Sequence, residues 1–268
     1  MTTSTKGTAL VTGASSGIGA VYAERLARRG FDLILVARNA KKLEGVAHHI
    51  AGATGRTINT ISVNLNEPQD LHKIETLLRT ESGISMLVNN AGLGAVTPLL
   101  DSDVDIMEGM IELNVTALTR LTYAAAPGFI ARGGGAIINI SSAMALYPEL
   151  LNGVYGATKA YVLALTLSLH KELADKNVIV QAVLPGAVET NFWDVAGGDL
   201  SNLPPDRVMQ VEDMVDAAMT GFDLGELVTI PSLPDRSDWD AYEARRQAII
   251  PNLSRKHPAA RYLVPAAA

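Results

Sequence analysis

Six short apolar runs, almost unbroken by polar positions, recur along the chain and are separated by longer stretches with a helical period; "DLILVA", "AIINIS" and "VIVQAVL" are examples. Successive side chains of a strand point to opposite faces, so a strand with one wet face alternates apolar and polar residues. A strand that is apolar at consecutive positions is covered on both faces. Parallel strands also require a crossover, which a right-handed helical connection supplies. The pattern predicts an α/β fold with a doubly wound, parallel, seven-stranded sheet in a three-layer α/β/α sandwich. Strands are expected over residues 8–12, 32–37, 57–63, 85–89, 136–141 and 178–184, with a shorter seventh over 227–230. Helices are expected over 17–29, 40–53, 68–81, 104–132, 153–175 and 211–222, with Pro127 ending or kinking the fourth.

A chain of 268 residues with this one repeating pattern is expected to be a single domain, 1–268, carrying a mobile flap at 186–210 and a carboxyl-terminal extension at 232–268 with one helical stretch over 239–249. Apolar residues make up 48% and charged residues 19%, enough for a large core. The net charge of −6 and the lack of a dense Lys/Arg run argue against nucleic acid and anionic membranes as partners, and for a small molecule. Without cysteine there are no disulfides, thiolate metal sites or thiol nucleophiles. The first strand begins near Thr8, leaving no room for a leader, and no apolar run reaches membrane-spanning length. A cytoplasmic protein is expected. His48, His49, His72, His170 and His257 are scattered without metal-ligand spacing, so no metal is expected. Met107 and Met110 read as core filler or an interface stripe.

"VTGASSGIG" follows the first strand and opens the first helix. A helix start offers free N–H groups and partial positive charge, which suits a pyrophosphate. Gly13 permits the tight turn, Gly17 lets backbone approach the phosphates, and Gly19 lets helix pack on strand, with Ser15, Ser16 and Ile18 at the same turn. The spacing is G-x-x-x-G-x-G and not the commoner G-x-G-x-x-G, and in isolation the run also fits a glycine-rich turn; its place after the first strand of an alternating pattern favours a Rossmann-like, dinucleotide-binding fold. At the end of the second strand, "LILVARNAKK" has Ala37 where an acid would grip a ribose hydroxyl. Arg38 offers a fork of donors to a 2′-phosphate, and Ser15 adds another, which favours NADP(H); the alternative is a solvated surface arginine.

"LVNNAG" ends the fourth strand with Asn89 and Asn90, which bond neighbouring turns, while the backbone of Ala91 and Gly92 lies near a flat ligand. "YGATK" sets Tyr155 and Lys159 on one side of a helix, so the lysine charge favours the phenolate of a group whose ordinary pKa is about 10. Taken alone, the pair also fits an aromatic ring packed on a lysine stem. Ser142 closes the central strand of "AIINISS", where open α/β sheets place ligands; in isolation it reads equally as a strand-end cap, and Asn114 in "ELNVTAL" as a polar group satisfied on its own helix.

Taken together, TGASSGIG, NNAG, Asn114, Ser142, YGATK and "PGAVET" resemble the short-chain dehydrogenase/reductases, in the main branch of about 250 residues, over roughly residues 6–190. The resemblance implies Tyr155 as acid/base, Lys159 lowering its pKa and holding the nicotinamide ribose, Ser142 orienting a carbonyl and Asn114 supporting a water-linked proton relay. It also implies that Pro185, Gly186, Val188 and Thr190 run beside the nicotinamide, the last two near its carboxamide. Two departures stand out. "VNLNEP" has Asn64, followed by Leu65, where the family usually has an aspartate for the adenine amino group; an amide oxygen still accepts that bond. The carboxyl end reads "LVTIPSLPD" instead of a DGG-like finish.

The expected function is hydride transfer between NADP(H) and a carbonyl/alcohol pair. The alternatives are a dehydratase or epimerase using nicotinamide without net turnover, and a nucleotide-sensing module. Phe192, Trp193, Val195, Leu200, Leu203, Val208 and Met209 of the flap, with Met144, Leu146, Leu150 and Leu151, suggest a bulky apolar substrate or a cover for the core. By resemblance, helices 104–132 and 153–175 associate a homodimer or homotetramer.

Overall fold

The computed structural model describes residues 6–263; the first and last five residues of the expected domain and its extension lie outside the described residues. Strands β1 (Thr8–Thr12), β2 (Asp32–Ala37), β3 (Ile58–Ser62), β4 (Ile84–Asn89), β5 (Gly135–Ile140) and β6 (Val178–Val183) alternate with helices α1 (Gly17–Arg28), α2 (Ala40–Thr54), α3 (Pro68–Thr80), α4 (Val104–Ile111), α5 (Leu118–Ala131) and α6 (Gly153–Leu173). A two-residue pair, β7 (Ala187–Val188) and β8 (Val208–Met209), brackets the short helix α7 (Phe192–Ala196). Helix α8 (Val211–Asp223) and strand β9 (Val228–Thr229) follow. The parallel sheet runs β3-β2-β1-β4-β5-β6-β9, the doubly wound, seven-stranded order that the apolar runs predict.

The pleat explains the unbroken apolar strands. Ala9, Val11, Leu33 and Leu35 face one layer, with Tyr22 and Leu26 of α1, Leu43 and Ile50 of α2 and Met214 of α8. Leu10, Ile34 and Val36, their neighbours in sequence, face the other, with Ile74 of α3, Leu121 and Phe129 of α5 and Leu169 of α6. Each fully buried side chain of this size contributes roughly 1.5–3 kcal/mol, so both layers hold the sheet.

The strand order reverses between β1 and β4, and open sheets bind ligands at the carboxyl ends flanking such a switch point.

Two regions depart from the expected outline. The long helix expected over 104–132 contains a π-helical segment, Glu112–Ala117, between α4 and α5, and α5 continues through Pro127 to Ala131 instead of ending there. The segment 186–210, expected to lack regular structure, carries β7, α7, three-residue helical turns and β8.

Two compact units are resolved, divided at Pro231 and Ser232. The second holds α9 (Arg236–Ile249), capped by Asp235, whose Oδ1 accepts the Ser237 N–H at 2.8 Å, with Trp239 and Tyr242 stacked at 5.4 Å. Among the described residues no helix is long and apolar enough to cross a membrane.

Candidate active site

The ends of β1 and β4 are laced together before any ligand is considered. Thr12 Oγ1 donates to the Val88 carbonyl at 3.3 Å and accepts the N–H groups of Asn90 and Ala91, each at 3.0 Å. The Asn90 amide donates to the Thr12 carbonyl at 2.9 Å and the Gly13 carbonyl at 3.3 Å, the turn-bonding role expected of it. Asn89 instead donates to Thr122 and Asn139 inside the core. Gly13 and Gly17 have φ of +66° and +54°, which side-chain-bearing residues seldom adopt. Gly19 is required for space: a Cβ there would lie 2.5 Å from the Gly13 carbonyl oxygen. Ser16 caps α1 without a side-chain cap bond, leaving its hydroxyl available beside the amide groups of the first turn.

From this turn a cleft of about 970 Å³ runs along the carboxyl ends of the strands. Every cofactor-binding residue predicted from sequence borders it except Gly19, which works behind the turn. Arg38 stands exposed at one end, and among the described residues its guanidinium makes no ion pair. Lys42 and Asn39 join it; neither was singled out from sequence, although the basic run "ARNAKK" was the available signal. Asn64 borders the cleft, its Oδ1 accepting the Asn66 N–H at 3.3 Å and its own N–H donated to Asp70 at 3.0 Å; the oxygen retains a second lone pair. Positive φ at the glycine turn, an uncommitted Ser16 hydroxyl and an unpaired guanidinium together fit a dinucleotide bearing an additional phosphate.

At the other end Tyr155, Lys159 and Ser142 meet, all buried. Asn152 fixes the start of α6: its Oδ1 accepts the N–H of Val154 at 2.9 Å and of Tyr155 at 3.4 Å, while its amide donates to the Thr97 carbonyl at 2.6 Å and to Ser102 Oγ at 3.1 Å. Sequence reasoning missed this residue, whose signal was a cap-forming Asn two positions before the apolar helix pattern. Lys159 Nζ donates to the Ile140 carbonyl at 3.0 Å, and burial lowers its pKa to about 8. Ser142 Oγ accepts the Met144 N–H at 3.1 Å.

The tyrosine corrects one expectation. Burial raises its pKa, and the opposing pull comes from the Ser142 hydroxyl, not from the lysine. Lys159 Nζ lies 5.8 Å from the Tyr155 ring centroid and spends a proton on the strand end. The protein alone therefore holds a neutral phenol.

Asn114 sits in the π-helical segment and does not border the cleft. It is satisfied away from its own helix: its amide donates to the Leu93 carbonyl at 2.8 Å and to Thr158 Oγ1 at 3.0 Å, and its oxygen accepts the Leu93 N–H at 2.8 Å. These bonds tie the π-helical segment to the β4 exit at Leu93, and such segments often occur at functional sites. Among the described residues no group of three or more His, Asp or Glu side chains is placed to hold a metal.

Comparison with known proteins bears on the fold and the family. A short chain dehydrogenase from Sphingobium yanoikuyae, solved in complex with NADPH, superposes with a TM-score of 0.92 at 45% identity, covering 96% of this chain and all of that one. The bulky-bulky ketone specific alcohol dehydrogenase from Comamonas testosteroni gives 0.90 at 42% identity, covering 97% and 100%. Among curated proteins, very-long-chain 3-oxoacyl-CoA reductase-A of Danio rerio is 36% identical over 209 residues, 76% of this chain. The chain spans 60–66% of the length of the first such relatives, from Danio rerio, Bos taurus and Macaca fascicularis. The family model for short chain dehydrogenases matches residues 7–199, most of the chain, and the protein belongs to that family.

Proposed function

We propose that the protein is an NADP(H)-dependent oxidoreductase that interconverts an apolar ketone and its secondary alcohol. One observation carries this reading: a buried phenol, hydroxyl and ammonium, those of Tyr155, Ser142 and Lys159, border the same cleft as the glycine turn and the unpaired Arg38. The NADPH complex of the Sphingobium relative and the bulky ketone specificity named for the Comamonas enzyme support it.

Gly13, Ser15, Ser16, Gly17 and Ile18 would hold the pyrophosphate half, Arg38 and Lys42 the 2′-phosphate, and the 185–190 segment the nicotinamide end. The bound nicotinamide supplies or accepts the hydride. In reduction Tyr155 gives its proton to the carbonyl oxygen, and Ser142 donates a hydrogen bond to the same atom. The Ser142 hydroxyl, which pulls the Tyr155 pKa down, then stabilises the phenolate left behind; Lys159 would hold the nicotinamide ribose beside it, and the reverse transfer serves oxidation. Asn114 orders the Leu93 backbone and Thr158 beside this group and, in this reading, supports the path that returns the proton. The wall beyond Tyr155 includes Leu150, Leu151, Met144 and Val195, which suits apolar substituents.

Mixing the protein with NADPH and a panel of ketones tests the reading. Sustained loss of NADPH absorbance is expected, and Tyr155→Phe should lower turnover by about 100-fold or more with NADPH affinity retained. Tight NADPH binding with no carbonyl or alcohol ever turned over would refute it. The dehydratase and sensing alternatives gain no residue from the site. A homodimer or homotetramer in the cytoplasm belongs to the same reading: exposed Ile111, Val104 and Tyr161 lie on the helices expected to associate, and light scattering should give twice or four times the mass of 28.3 kDa.

A further inference from the structure

Gly94 lies in the segment that leaves β4, and its backbone does not adopt the left-handed conformation that would call for glycine. Space calls for it instead. A Cβ on Gly94 would stand 2.1 Å from Cζ and 2.7 Å from Cε2 of Phe192, so the ring tip of α7 occupies the volume where any side chain at position 94 would be. The same ring packs against Tyr155, centroids 5.8 Å apart and planes tilted by 46°, and meets Trp193 edge-on at 5.7 Å. Helix α7, which carries it, is held near both ends: the Trp193 side-chain Nε1 donates to the Val188 carbonyl at 3.0 Å, and the Ala196 carbonyl accepts the Val96 N–H at 3.1 Å. Gly94, Phe192 and Tyr155 all border the cleft.

We propose that Phe192, seated on the bare backbone of Gly94, is the specificity-determining residue that limits substituent size beside Tyr155. The inference rests on the ketone-reducing reading above and adds the residue pair that sets its selectivity. A carbonyl oxygen that reaches the Tyr155 and Ser142 hydroxyls brings its substituents alongside the Tyr155 ring, and the Phe192 ring closes that space. Because a pocket discriminates one methylene by roughly 10–200-fold, trimming the ring opens room for a longer substituent. Filling Gly94 displaces the ring, and has nothing to displace once the ring is gone.

The test compares wild type, Phe192→Ala, Phe192→Leu, Gly94→Ala and the Gly94→Ala/Phe192→Ala double variant on phenyl alkyl ketones from methyl to hexyl, by NADPH oxidation. NADPH affinity and near-UV circular dichroism serve as folding controls. Phe192→Ala should shift the hexyl-to-methyl ratio of kcat/KM by about 10-fold or more toward hexyl, and Phe192→Leu should shift it less in the same direction. Gly94→Ala should change the ratio when Phe192 is present and leave it within about twofold when it is absent, the non-additivity of groups in contact. Should Phe192→Ala fail the folding controls, Phe192→Leu carries the comparison. An unchanged ratio in the folded Phe192 variants, or an equal effect of Gly94→Ala in both backgrounds, overturns the proposal while leaving ketone reduction standing. Absence of ketone turnover by wild type would remove the underlying redox reading and this proposal with it.

Discussion

The ammonium of Lys159 donates a 3.0 Å hydrogen bond to the carbonyl oxygen of Ile140, the last residue of β5, and is buried there. Burial without a carboxylate partner depresses its pKa from 10.5 to about 8. The folded state therefore binds its proton less well than the unfolded chain, so this group penalises folding fully below pH 8 and progressively less as pH rises toward 10. Relative to Lys159→Met, the wild-type protein without cofactor should gain about 2–3 kcal/mol of stability between pH 8 and pH 10. Denaturant melts of both proteins across that range would measure it. A constant difference would mean that the ammonium is solvated.

Arg38 is an exposed cation at one end of the cleft, beside Lys42, and among the described residues it makes no ion pair. A guanidinium bonded to a phosphate contributes about 1.5–3 kcal/mol. Arg38→Ala should therefore weaken NADPH binding by roughly 10–100-fold and leave NADH binding nearly unchanged, as titration calorimetry would read. Equal losses for both nucleotides would assign the residue to the fold.

Asn152 uses all its polar atoms, capping α6 and tying it to the loop at Thr97 and Ser102. Replacing it with Ala should cost about 1–2 kcal/mol of stability and loosen the backbone that carries Tyr155. The expected kinetic signature is a fall in kcat larger than any change in NADPH affinity, since the glycine turn is untouched. A fall in NADPH affinity alone would contradict this.

Residues tied to local spacing were the legible part of the sequence. The strand runs gave both faces of the sheet, the glycine turn followed from its place after β1, and Tyr155 with Lys159 followed from one helical turn. What stayed hidden depends on surroundings. The π-helical turn at Glu112–Ala117 inserts no break in the apolar pattern, so 104–132 reads as one helix, and nothing local announces the bonds of Asn114 to Leu93 and Thr158. The one-turn spacing of Lys159 and Tyr155 was legible, but the burial that raises the Tyr155 pKa, opposed by the Ser142 hydroxyl, was not. The seat of Phe192 on Gly94 joins residues on separate segments, which no local pattern announces.

Gly19 provides the sharpest steric test of the nucleotide turn. A methyl group there would stand 2.4 Å from Asn90 Nδ2 and 2.5 Å from the Gly13 carbonyl oxygen. The first contact is with a side chain that can turn away by giving up its bonds to Thr12 and Gly13; the second is with backbone and can yield only if α1 and the turn separate. Overpacking of this kind costs about 1–3 kcal/mol, and the displaced element is the one whose amide groups would face the phosphates in the proposed binding mode. Gly19→Ala should lower the melting temperature and weaken NADPH and NADH binding alike, in contrast to Arg38→Ala. Adding Asn90→Ala should restore little, because the clash with the Gly13 oxygen remains. Full recovery in the double variant would show that Asn90 alone sets the spacing between turn and helix.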